Sequence, residues 1–200
     1  MKKVLTLLLI PFFADMLVAC CDCDEPQFFK YTNSSLQVQN LDNRGQSAMP
    51  ATGGIALKEA YGIRIKVHCE TTASATVPFS FFLSSGYAFS CRCGEPVQYL
   101  AKDSITSLRI ITINDFDTEH KAGSDITDHF KLNAGYYFIS IADYLKQEAP
   151  VFYMEADKNT ILDALLIQYP NQSGTHRFRI EMNLSDGRTL SQETDTIDLQ

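Results

Sequence analysis

The chain has 200 residues, with 24 Asp and Glu against 17 Lys and Arg, and a formal net charge of −7. That acidic balance excludes nucleic acid and an anionic lipid surface as the main partner, because both would repel it. An apolar fraction of 45% over this length is enough to bury a real core and fits the size of one domain.

Lys2-Lys3 open the chain, and Val4 to Ala14 form an apolar run. A membrane-spanning helix needs roughly 20 apolar residues, so this run is too short to cross. A basic start, a short apolar centre and a small residue before the cut make a secretory leader. The leader ends on Leu17-Val18-Ala19-Cys20. This tetrad resembles the bacterial lipobox, in which the cysteine becomes the mature N-terminus. The resemblance implies that residues 1–19 are a lipoprotein signal peptide and that Cys20 is the lipidation site. Its thiol would take a diacylglycerol and its freed amine a further acyl chain. Each buried methylene contributes about 0.8 kcal/mol, so two chains anchor a protein stably. The expected organisation is a leader over 1–19, a lipidated tether over 20–34, and a single β-sandwich domain over 35–200.

The cysteines come in two matching clusters, Cys21-Asp-Cys23 and Cys91-Arg-Cys93, each soon followed by Glu-Pro, with Cys69 between them. Two readings follow. Cys21, Cys23, Cys91 and Cys93 form two disulfides, or they hold a tetrahedral metal. The oxidising compartment of an exported protein favours disulfides, and metal clips usually space their cysteines more widely. Connectivity stays open. Cys69 lies on the apolar side of its strand and reads as a small buried hydrophobe.

Past the tether, Leu36-Gln37-Val38 alternates as a first strand, and residues 40–54 collect turn-forming Asn, Asp, Gly, Ser and Pro. Residues 62–69 place Ile63, Ile65, Val67 and Cys69 on one face and Arg64, Lys66 and His68 on the other. Period-two alternation predicts a strand with one buried face, and puts His68 toward solvent. Residues 77–83 are an apolar run. Over 104–116, Leu108 and Ile110 point one way and Ile111 and Ile113 the other, which predicts a central or bulged strand. A further buried strand is expected over 136–141.

Short helical turns are predicted over 125–130 and 140–147, with Asp125 and Ser140 as N-caps. Residues 162–169 read as a strand closed by Pro170. Phe178, Ile180, Met182 and Leu184 alternate with polar residues, and Ser185-Asp186-Gly187-Arg188 is a hairpin turn. The return strand begins in phase at Leu190 and ends out of phase at Ile197 and Leu199, which predicts a bulge within 192–196. Many short strands separated by such turns predict an all-β fold, an antiparallel β-sandwich. The closing hairpin is similar to that of immunoglobulin-like domains, although the Cys…Trp…Cys pattern is absent.

The densest polar segment runs Asp115-Phe116-Asp117-Thr118-Glu119-His120 and on through Asp125, Asp128 and His129. Alternating acids suit a hard cation, but the EF-hand pattern fails. His120 stands where Gly is required, and Ile126 where the closing Glu belongs. The plain expectation is a solvated loop whose Asp side chains cap turns. No Gly-x-Ser-x-Gly, His-Glu-x-x-His or phosphate-cradling motif occurs, so no catalytic residue, cofactor or metal site is assigned.

In style the mature chain resembles the short exported lipoproteins of unknown function abundant in Bacteroidota. Asp22, Asp24 and Glu25 after the lipobox are similar to signals that send such proteins to the outer cell surface. The segment 122–127, Ala-Gly-Ser-Asp-Ile-Thr, also resembles a stretch of such a family. Asp103-Ser104-Ile105 and Asp195-Thr196-Ile197 are similar to the O-glycosylation triplet of that phylum. The resemblance implies an outer-membrane lipoprotein, surface-exposed, that binds or assembles with an envelope protein or a glycan and is not an enzyme. The alternatives are a surface hydrolase using acids near Asp115–Asp128, and a metal-binding lipoprotein using the Cys pairs.

Overall fold

Alternation writes itself directly into burial in the segment that forms β11 (Phe178–Leu184). Phe178, Ile180, Met182 and Leu184 are buried, and the polar residues between them are partly exposed. The computed structural model describes residues 27–75, 97–135, 137–146 and 159–200. Two compact units make up the chain: Met1–Tyr31 with Thr71–Leu100, and Thr32–Glu70 with Ala101–Gln200. In the first, the rings of Phe29 and Tyr99 stack with centroids 5.8 Å apart.

The strands in chain order are β1 (Gln27–Asp42), β2 (Met49–Pro50), β3 (Ile55–Ala56), β4 (Tyr61–Ala75), β5 (Val97–Ala101), β6 (Ile105–Thr112), β7 (Phe130–Asn133) and β8 (Phe138–Ser140). After helix α1 (Ile141–Lys146) come β9 (Asn159–Leu166), β10 (Gly174–His176), β11, β12 (Thr189–Glu193) and β13 (Ile197–Leu199). One sheet has the hydrogen-bond order β2-β1-β4-β9-β7-β8, with β5 on β1. The order β12-β11-β6 makes a second sheet and β10-β13-β3 a third, the last with β13 and β3 parallel.

The fold is an all-β sandwich. Ile63, Ile65 and Val67 of β4, Leu162, Ala164 and Leu166 of β9, and Phe130 and Leu132 of β7 supply one side of the core. Leu108 and Ile110 of β6, the buried row of β11, and Ile197 and Leu199 of β13 supply the other. Tyr61, Phe130 and Phe178 meet at its centre, with ring centroids 5.5–6.5 Å apart. The β4–β9 contact is close enough that a Cβ on Gly62 would lie 2.7 Å from Leu165 Cδ2, which explains a glycine at the start of a core strand.

Several expectations from the sequence hold. The strands over 36–38, 62–69 and 178–184 lie within β1, β4 and β11. Residues 162–169 form a strand as far as Leu166. Gly187 adopts φ 87° in the hairpin turn. Ser140 caps α1: its Oγ accepts from Asp143 N at 3.0 Å and donates to the Asp143 carboxylate at 2.7 Å. Residues 125–130 contain a 3-10 turn, Thr127–His129, but its N-cap position is Ile126 rather than Asp125, which accepts from Thr127 N from one residue further back.

Three expectations change. The buried strand expected over 136–141 is the short β8, Phe138–Ser140, and it is not buried: Phe138 is exposed, and Ile141 opens the helix. The strand over 104–116 ends at Thr112 and is bulged rather than central: β6 lies at the edge of its three-stranded sheet, and its pairing with β11 shifts register between Asn183↔Ser107 and Leu184↔Ile105. Its outer edge is closed by its own following loop, where Thr112 N donates to Ser124 O and Ile126 N to Ile110 O. That cover buries Ile110, Ile111 and Thr112 in succession and breaks the alternation. The phase switch after Leu190 is a change of sheet, not a bulge. β12 stops at Glu193, Phe178 N donates to Thr194 Oγ1 at 3.1 Å, and β13 pairs with β10 and β3. The run over 77–83 lies outside the described residues, as do Cys20, Cys21, Cys23, Cys91 and Cys93.

Candidate functional site

Two polar clusters stand out in the larger unit, and the first is built at the end of β6. After Thr112 the chain leaves the sheet, and Gly123 N donates back to Thr112 O at 2.7 Å. Gly123 takes φ 86°, a backbone region that a side chain would strain. The excursion is pinned by Phe116, which is buried and packs against Phe178 with centroids 6.3 Å apart. Because Phe116 points inward, its neighbours Asp115 and Asp117 are left to organise the turn around it.

Both do so. Asp115 accepts from Ala122 N at 3.0 Å and from Lys121 Nζ at 3.2 Å, and these donors hold its carboxyl below the usual range. Asp117 Oδ1 accepts from Glu119 N at 2.8 Å and His120 N at 2.7 Å, and lies 3.0 Å from His120 Nδ1. Burial pushes the Asp117 carboxyl up, but the His120 and Glu119 contacts outweigh it and the net displacement is downward. Asp125 faces away from this turn and pairs with Arg109 Nε at 2.8 Å.

His129 enters from the 3-10 turn before β7. Its backbone is fixed from both sides, with His129 N donating to Ile126 O and Ile167 N donating to His129 O. Its ring meets that of His120 edge-on, centroids 4.6 Å apart, and contacts Phe116 at 5.5 Å. Burial, reinforced by His120, holds the His129 imidazole below its ordinary pKa. Its Nδ1 is buried and has no hydrogen-bond partner among the described residues. One ligand atom from each of Asp117, His120 and His129 lies within 4.8 Å of the others. Beside this group is a pocket of about 380 Å³, lined by Asp115, Asp117 and Lys121 on one side and by the 171–176 segment on the other. His176 also borders it, stacked 6.1 Å from Phe178, with both ring nitrogens buried and unpartnered among the described residues and its pKa lowered by burial.

The second cluster is centred on Asp103, which is 1% exposed. Its carboxylate accepts from Thr32 Oγ1 at 2.7 Å, from Asn33 N at 3.1 Å, from Asn33 Nδ2 at 3.1 Å, and from Arg188 Nη2. Arg188 also donates to Asn33 O at 2.8 Å and to Asp186 at 2.7 Å. Cys69 completes the group, its Sγ 3.4 Å from Asn33 Oδ1. Burial, with the nearby Asp103 charge adding to it, raises the Cys69 thiol to about 11 despite an opposing hydrogen bond to Thr160.

The sequence names the residues of the first cluster and expects a solvated loop whose Asp side chains cap turns; the fold also brings one acid and two imidazoles together there. The second cluster has no local signal. Asp103, the first residue of an apparent glycosylation triplet, is a buried carboxylate committed to an ion pair with the partly exposed Arg188, while Ser104 beside it is exposed.

The fold and these clusters define an all-β sandwich domain with a polar loop site beside a shallow cleft. The chain belongs to the family described as Domain of unknown function (DUF5034), whose model matches residues 33–195. No curated protein matches the chain.

Proposed function

We propose that this chain is a lipid-anchored outer-membrane lipoprotein, exposed at the cell surface, whose sandwich domain is a binding or assembly module rather than an enzyme. Its partner is another envelope protein or a glycan. The observation that carries the reading is Leu17-Val18-Ala19-Cys20 at the end of a short apolar leader, thirteen residues ahead of position 33, where the family match begins. That spacing leaves a tether too short to act as a separate module. Asp22, Asp24 and Glu25 in the tether support outward placement, and the acidic net charge suits a domain held off anionic headgroups. In the oxidising envelope, Cys21, Cys23, Cys91 and Cys93 are paired as disulfides.

The test is metabolic labelling with an alkyne fatty acid in a native-type host, comparing the wild type with Cys20→Ala. The expected result is a labelled, detergent-phase protein for the wild type and an unlabelled one for the variant. A mature wild-type protein with no label, or with an N-terminus other than Cys20, overturns the reading.

A further inference from the structure

We propose that Asp117, His120 and His129 form a binding site for one divalent transition-metal ion of the zinc class. The three side chains come from two separate pieces of chain, the turn after β6 and the 3-10 turn before β7, and converge on one point. Their ligand atoms lie within 4.8 Å of one another, and all three residues are half-buried. The 3.0 Å separation of Asp117 Oδ1 and His120 Nδ1 is near the spacing of adjacent ligands around tetrahedral zinc, about 3.3 Å for bond lengths near 2.0 Å. His129 Nδ1 supplies an independent observation. It is a buried nitrogen with no partner among the described residues, on a ring that meets the His120 imidazole edge-on and supplies a ligand atom within 4.8 Å of Asp117 and His120.

The donor chemistry decides the class of ion. Two imidazoles and one carboxylate suit zinc, cobalt, nickel or copper, whereas calcium takes six to eight oxygens, and Asp115 and Asp125 are engaged elsewhere. Asp115 is held by Ala122 and Lys121, and Asp125 by Arg109 and Thr127. Second-sphere support is already in place. The N–H groups of Glu119 and His120 fix the Asp117 carboxylate, and Phe116 packs against both imidazole rings. Three protein ligands leave a fourth position for water or an external ligand, and Asp117 also borders the 380 Å³ pocket.

The experiment is a titration of the full chain, its accessible thiols alkylated, with cobalt(II) alone, followed by optical absorption. Imidazole and carboxylate ligands give visible d–d bands without the sulfur-to-cobalt charge-transfer band of a cysteine site. The expected result is one equivalent bound with the d–d bands alone. His120→Gln and His129→Gln should each weaken binding by at least about tenfold. Both variants are first melted without metal. If His129→Gln fails to fold, the half-exposed His120→Gln decides. Binding that shows sulfur charge transfer, no binding, or unchanged affinity in His120→Gln overturns the proposal.

Discussion

Asp103 and Asp117 are both carboxylates drawn into polar clusters of the same unit, yet they are finished differently. Asp103 is 1% exposed and surrounded by donors from Thr32, Asn33 and Arg188, so each oxygen is satisfied and nothing is left over. Asp117 is half-buried, and it is grouped with His129, whose ring carries a buried nitrogen with no partner among the described residues. A saturated cluster holds the fold together. One left with an orphan ligand atom is suited to take something from outside. The distinction lies in the nature of the neighbours: donors alone for Asp103, and for Asp117 backbone donors together with imidazoles that are also acceptors.

Breaking the saturated cluster should have the larger effect. Asp103→Ala strips Arg188 and Asn33 of their acceptor and should cost about 3 kcal/mol, somewhat relieved because Arg188 reaches solvent. Urea unfolding of the variant measures it, and a loss below about 1 kcal/mol would mean the cluster is ornamental. Alkaline pH attacks the same cluster through Cys69. The folded thiol, at about 11, binds its proton more tightly than an unfolded one near 9. Its contribution to stability is therefore complete below pH 9 and is lost as pH rises from 9 toward 11. After allowance for partial screening the loss is on the order of 1 kcal/mol. It should vanish in Cys69→Ala, as read from melting temperatures across that window. The smallest effect belongs to the unfinished cluster. Asp117→Asn keeps the shape of the turn and should change metal-free stability by under about 1 kcal/mol. A stability loss equal to that of Asp103→Ala would show that the two sites are alike.

The same contrast explains what could be read in advance. Phe178, Ile180, Met182 and Leu184 declare their strand because a period of two is enforced residue by residue, wherever the strand lies. Ser140 announces α1 and Gly187 its turn for equally local reasons, a cap and a positive φ. Ile110-Ile111-Thr112 could not be read, since their joint burial depends on a loop folding back over the edge of β6. The phase switch before Ile197 was visible, but not its cause, because a bulge and a change of sheet leave the same trace in the sequence.

By itself the sequence determined the β class, the buried faces of β4 and β11, the closing hairpin and the motif from which lipid anchoring is inferred. All of these rest on periodicity or on contiguous residues. Only the tertiary structure decided which acids matter. Asp103 finds Arg188 across 85 positions, and His129 reaches Asp117 and His120 only once the loop after β6 has closed on its own strand. Pattern along a chain reports what each residue needs from its nearest neighbours, whereas a site is made by which distant residues the packed sheets bring within bonding distance.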